Sequence, residues 1–319
     1  MRRRTVGAAV GGCLVALLLV AGCGGSTSAA RPQKVVVTGL ERPQAIQLVH
    51  TYMEKEWGGQ ATWNTAVQDT LEVAPQVLID DFAWKFDKSA NFAAPKPPAH
   101  LSTQPVTVMV PEHASVFEAM THGVYMIFVK SGGSWMQVYS PEVAKGAPPI
   151  TPQVNAAGYA VLLPPSGYTH LKLAPNTIAS RYAVDLADAS EGAPATDAAT
   201  FAPGPFTTEL WASLKPGQHQ TVASGAVPAA YATYAFRLKG GGAVIFFAVE
   251  GHVTYTASSG YHFTIAANSG YSGFVAPGSY STEAATTLFN VAVIDPPSGS
   301  SAPIQVIGLS WGDIAFVSH

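Results

Sequence analysis

From residue 42 the apolar positions recur with a helical period. Ile46, Val49, Met53 and Trp57 follow one another at +3, +4 and +4, with Ala45, Leu48 and Tyr52 beside them. Such a stripe predicts a helix packing one face on a core. Pro43 suits the first turn, where its missing N–H is not needed, and Gly58-Gly59 read as the stop. A second stripe, Trp63, Val67, Leu71 and Ala74, predicts another helix closed by Pro75. The next stretch, QVLIDDFAWKF over 76–86, changes to alternation and predicts a strand. Residues 92–105 read as a Pro/Ala loop, followed by strands at 105–110 and 124–139. The latter is a hairpin pattern, two β-rich arms around Ser131-Gly132-Gly133-Ser134.

The second half repeats this order. Asn176 can cap a helix that carries Ile178, Tyr182 and Leu186 at +4 and +4. A loop over 190–204 leads to a short helix with Leu210, Trp211 and Leu214, stopped by Pro216-Gly217. Only strands follow: a hairpin over 231–250 around Gly240-Gly241-Gly242, then arms near 252–257, 261–266, 286–294 and 303–318. Helices and then a meander, occurring twice, predict an α+β fold. Two domains are expected, 41–167 and 168–319, with the boundary in or near Pro164-Pro165-Ser166-Gly167.

The first 40 residues change the picture. Arg2, Arg3 and Arg4 precede a small or apolar run over 6–21, which closes on Val20-Ala21-Gly22-Cys23 and a Gly/Ser/Thr stretch. That order predicts a lipoprotein signal peptide over 1–23 ending at a lipobox, acylation (palmitate) of Cys23, and a flexible tether over 24–40. The expected location is the cell membrane, lipid-anchored on the extracytoplasmic face. The only other cysteine, Cys13, lies inside the signal, so no disulfide is expected. Loss of the three arginines moves the net charge from −3 to about −6. With no basic stripe, nucleic acid is not an expected partner.

Candidate chemistry is sparse. The sequence holds no zinc-helix, phosphate-loop or dinucleotide motif. The nine histidines are dispersed, so no metal and no cofactor are expected. Gly270-Tyr271-Ser272-Gly273-Phe274 begins like a nucleophile elbow but lacks the fifth-position glycine, and reads as a surface turn. Asp80-Asp81, with His50 and Tyr52 on the first helix, could place a carboxylate beside an imidazole in one cavity, as general-base chemistry needs. On a strand the two aspartates alternate, so one of them would face inward. Tyr255, Tyr261, Tyr271 and Tyr280, interleaved with Ser, Thr and Gly, could stack on sugars or pack on a partner.

Several stretches carry a family likeness. They are Tyr52 with Ala66 and Val67, Val110-Pro111, Gly158-Tyr159-Ala160, Tyr182-Ala183-Val184-Asp185-Leu186, Phe201-Ala202-Pro203-Gly204-Pro205-Phe206-Thr207 and Gly241-Gly242-Ala243-Val244-Ile245-Phe246-Phe247-Ala248. Over most of 42–319 the chain resembles actinobacterial extracellular lipoproteins of unknown function. The resemblance implies two cystatin-like repeats, similar to the nuclear-transport-factor-2 superfold, each with N-terminal helices packed on a curved antiparallel sheet. It carries no site residues. The expected function is therefore a surface-anchored, non-enzymatic binding or scaffolding protein of the cell envelope. Its partners would be the membrane, through the lipid, and an envelope protein or glycan. The alternative is an envelope enzyme of acid/base type using a cavity near Asp80 and His50.

Overall fold

The first helix, α1 (Arg42–Gln60), starts where the sequence places it, with Pro43 in its first turn and the Gln44 side chain accepting from the Glu41 amide at 3.0 Å. It buries Ala45, Val49, Tyr52 and Met53. It does not stop at Gly58-Gly59. A Cβ on Gly59 would lie 3.1 Å from Trp84 and 3.2 Å from Val67, so this glycine lets neighbouring segments approach the helix instead of ending it. The computed structural model describes residues 39–98, 101–113, 115–166, 168–190, 200–210 and 219–319. The signal, the lipobox with Cys23 and the tether lie outside the described residues, as do Trp211 and Leu214 of the expected short helix. Among the described residues no helix is long and apolar enough to cross a membrane.

The second expected helix shrinks to one turn, α2 (Thr65–Gln68). Leu71 and Val73 leave it to pair with the backbone of Gln137, at 2.8 and 2.9 Å. The residues expected as a strand form α3 (Gln76–Ser89). The reason is two-sided burial. Ile79, Phe82 and Phe86 point towards the second half of the chain, while Gln76 and Asp80, one turn apart, bond each other on a polar flank where Gln76 also meets Asn290. Apolar residues on two flanks of a helix imitate period-2 alternation.

The strands of the first half are β1 (Thr107–Met109), β2 (Val116–Thr121), β3 (Val124–Ser131), β4 (Ser134–Tyr139) and the two-residue β5 (Glu142–Val143) and β6 (Leu162–Leu163). After α4 (Pro175–Ser190) and a π-helical turn at Pro205–Glu209 come β7 (Gln220–Pro228), β8 (Tyr234–Arg237), β9 (Ala243–Ala257), β10 (Phe263–Ile265), β11 (Gly278–Tyr280), β12 (Thr282–Asp295) and β13 (Gln305–Ser318). Both glycine hairpins form, β3–β4 and β8–β9. Gly132 and Gly133, then Gly240 and Gly241, adopt the positive φ angles that such tight turns require. The fold is α+β, with a curled antiparallel sheet and a few helices.

One sheet joins both halves, in the order β1-β2-β3-β5-β13-β12-β9-β8-β6, with β4 on β3 and β7 on β9. The joint is β5, which pairs Glu142 with Val124 of β3 and, on its other side, Val143 and Glu142 with Gly308 and Leu309 of β13. Each half keeps its own helix-facing core. In the first, Ala45, Val49, Tyr52 and Met53 meet Phe117, Ala119, Met126 and Phe128. In the second, Ile178, Tyr182 and Leu186 meet Ile245, Phe247, Val249 and Val291. A third core draws on both halves: Val116, Tyr125, Ile127 and Tyr139 pack with Phe236, Val244, Phe246 and Ile307. The expected division near 164–172 is therefore no domain boundary, and residues 38–319 form one compact unit. Each apolar side chain in the shared core loses about 1.5–3 kcal/mol if re-exposed, so the halves are not independent.

Candidate functional site

Among the described residues, a close group of ionisable side chains lies between α1, the residues after α2, and α3. Tyr52, buried on α1, places its hydroxyl 2.7 Å from Glu72 Oε1 and in contact with Gln137 Oε1 on β4. A phenol has one proton and cannot donate to both. A neutral Glu72 carboxyl can donate to Tyr52 while Tyr52 donates to Gln137; an ionised Glu72 accepts from Tyr52 instead. Glu72 is pushed far above the carboxylate range, by burial first and then by the charge of Asp80. Burial, followed by Glu56, Glu72 and Asp80, raises Tyr52 as well. Carboxylate oxygens of Glu56, Glu72 and Asp80, one from each, lie within 4.8 Å of one another.

Neutral donors hold this group. Gln60 Nε2 donates to Glu56 Oε1 at 3.0 Å, one helical turn away on α1. Gln76 Nε2 donates to Asp80 Oδ2 at 2.7 Å. Gln76 Oε1 in turn accepts from Ser140 Oγ and from Asn290 Nδ2, both at 2.8 Å. Asn290 belongs to β12, so the network ties the first helices to the far end of the chain.

Of the residues singled out from the sequence, Tyr52 and Asp80 meet here, through Glu72. His50 and Asp81 do not. His50 Nε2 is 3.1 Å from the Gln104 carbonyl. Asp81 lies apart on a less buried flank, its acidity weakened by partial burial, then by Asp69 and Asp80. Glu56 and Glu72 were missed. Glu56 carries a legible signal, four residues after Tyr52 on one helix face. Glu72 carries none, because it sits in irregular chain held by a bridge to Gln137.

The four tyrosines do not form a common surface. Tyr271 stacks on Phe316 at 4.1 Å, meets Phe86 edge-on, and sets its hydroxyl 3.4 Å from Asp313. Tyr280 packs in the same cluster as Phe82 and Phe86 on α3. Tyr255 is half-buried in β9. Tyr261 alone of the four is exposed, and it stacks on His219 with centroids 4.1 Å apart. The turn Gly270–Gly273 is a packing element: a Cβ on Gly270 would fall 2.4 Å from the Phe86 ring.

A groove of about 540 Å³ opens elsewhere, where β2 and β3 approach β6 and the segment before β8. Val116, Val129, Leu162, Leu163 and Tyr234 form its apolar wall, and Ser115, Ser131, Thr233 and Lys130 its polar groups. A smaller recess of about 80 Å³ lies between Ala144–Ala147 and Ala202–Thr207. Neither includes a member of the carboxylate cluster.

Comparison with known families matches residues 40–314 to a domain of unknown function (DUF8094). The chain belongs to that family. No curated protein and no solved structure matches it.

Proposed function

From a family without an assigned activity, we propose that this chain is a non-enzymatic binding or scaffolding protein of the cell envelope, anchored through a lipid on Cys23. The observation that carries the reading is the groove beside Lys130. It has the size of a ligand site, apolar walls, four hydroxyl side chains (the Tyr234 phenol included) and one cation, and its lining contains no carboxylate and no histidine. Such a lining supports binding and supplies no acid/base pair. The anchoring half of the proposal rests on Val20-Ala21-Gly22-Cys23 alone.

Hydrogen exchange on envelope fractions, compared with the purified protein, tests the binding half. Added protection confined to peptides covering 115–131 and 162–165 is expected. Equal exchange in the two preparations counts against it. Fractionation tests the anchor: Cys23→Ser should move the protein from the membrane to the soluble fraction, and unchanged fractionation without acyl mass on Cys23 overturns it.

A second reading, an acid/base enzyme around Asp80, draws support from one observation, the burial of Asp80 beside Glu72 and Tyr52. The separation of His50 from Asp80 weakens it.

A further inference from the structure

We propose that Glu56, Glu72 and Asp80 form a binding site for one hard divalent cation, Ca²⁺ by its ligand set. The site is distinct from the groove and does not depend on it. One oxygen from each carboxylate falls within 4.8 Å of the other two. A set of three protein carboxylates suits Ca²⁺, which takes about 6–8 oxygen ligands in a flexible shell, better than Mg²⁺, which keeps several of its waters. The donors are all oxygens, with no imidazole or thiolate among the three, which selects against zinc.

An independent observation points to a missing partner. Glu72 is 2% exposed, and its Oε2 meets no donor group of the protein, leaving a proton shared with Asp80 as the partner for the carboxyl when no cation is bound. Its other oxygen is already engaged by Tyr52. A buried carboxylate oxygen left unserved is expensive, and in this place a cation or a proton has to serve it. The surroundings are those of a coordinated ion. Gln60, Tyr52 and Gln76 each hold one oxygen of one carboxylate, at 3.0, 2.7 and 2.7 Å. Outer donors of this kind fix the orientation of metal-binding carboxylates, and being neutral they leave the negative charge for the ion. Glu56, only half-buried on α1, stands on the solvent side and supplies the way in.

Calorimetric titration of the full-length protein with Ca²⁺ near neutral pH tests this, with thermal unfolding followed in parallel and Mg²⁺ as the comparison ion. One Ca²⁺ per chain is expected, with a Tm that climbs as Ca²⁺ is added and a weaker response to Mg²⁺. Glu72→Gln keeps an acceptor for Tyr52 and removes the carboxylate that forms when the ion displaces the Glu72 proton. It should lower Ca²⁺ affinity at least about tenfold. Glu56→Gln, at the half-exposed position, should do the same and keeps the test open if the Glu72 variant does not fold. No heat and no Tm change at millimolar Ca²⁺ would mean that the cluster holds protons alone, and the proposal fails. It fails equally if both variants bind Ca²⁺ as tightly as the parent.

Discussion

Glu118 shows how a single buried acid in this core responds to pH. It lies on β2, 1% exposed, with Oε1 unpartnered. Burial pushes it up from 4.5 to about 8, against a smaller downward pull from the Met109 amide. Below the lower value the carboxyl is neutral in both folded and unfolded chains. As pH rises from there to about 8, the unfolded chain ionises and the folded one does not, so stability is lost across that window. The loss has a ceiling of about 5 kcal/mol. Glu118→Gln should therefore be clearly more stable than the parent at about pH 8.5 and nearly equal to it at about pH 4. Denaturant titrations at the two pH values check this, and an equal difference at both would show that Glu118 does not titrate in the window. At this scale the sequence was partly legible. Tyr52 and Asp80 stand out because one has helical spacing and the other an adjacent acid. Glu72 and Gln137 become partners only through a backbone bridge between segments more than sixty residues apart, and no local pattern announces such a meeting.

Elements were legible where one face of each met one core. α1 and α4 bury their +3/+4 stripes as expected, and both glycine hairpins form at the expected turns. α3 was not legible, because its apolar residues serve β13 and the 270–280 loop while its polar ones serve the carboxylate network. The price of that arrangement is a close approach: at Gly270 and Gly273 a Cβ would fall 2.4 Å from Phe86 and 2.2 Å from Ser89 Oγ. Gly270→Ala should thus force the Phe86 ring or the loop to move, destabilising the protein by about 1–3 kcal/mol. Gly158→Ala is a useful contrast. Its φ of 88° strains an added side chain, but nothing lies within 4 Å of the new Cβ. Chemical denaturation of both separates contact from strain. If Gly270→Ala also perturbs Phe86 ring signals in NMR and Gly158→Ala does not, the packing account holds; an unperturbed ring in a destabilised Gly270→Ala counts against it.

For the whole molecule, the repeated order of helices and meander was visible in the sequence, and the joining of the two sheets was not. Periodicity reports which face of a strand is buried, never which neighbour buries it. The alternation in β3 and β9 is consistent with a sandwich of either half alone, yet Tyr125 meets Phe246 edge-on across the halves, with ring centroids 5.7 Å apart. Tyr139 likewise donates to the Ala232 carbonyl at 2.6 Å. The long β12 and β13 add a second tie, since α3 of the first half packs on them through Phe82 and Phe316. A fragment ending near residue 167 would expose Tyr125, Ile127, Val138 and Tyr139 together and leave α3 without Phe316 and Phe274. A fragment starting there would expose Phe236, Val244, Phe246 and Ile307. At about 1.5–3 kcal/mol per large apolar side chain, either set is comparable to the whole 5–15 kcal/mol by which a domain is ordinarily stable. Neither fragment should fold alone, and residues 39–319 should unfold in one transition. Denaturant unfolding followed by tryptophan fluorescence and by circular dichroism checks the second point, because coincident curves are the mark of a single cooperative unit. Two separated transitions, or a fragment with dispersed NMR signals and a sharp melt, would restore the two-domain organisation.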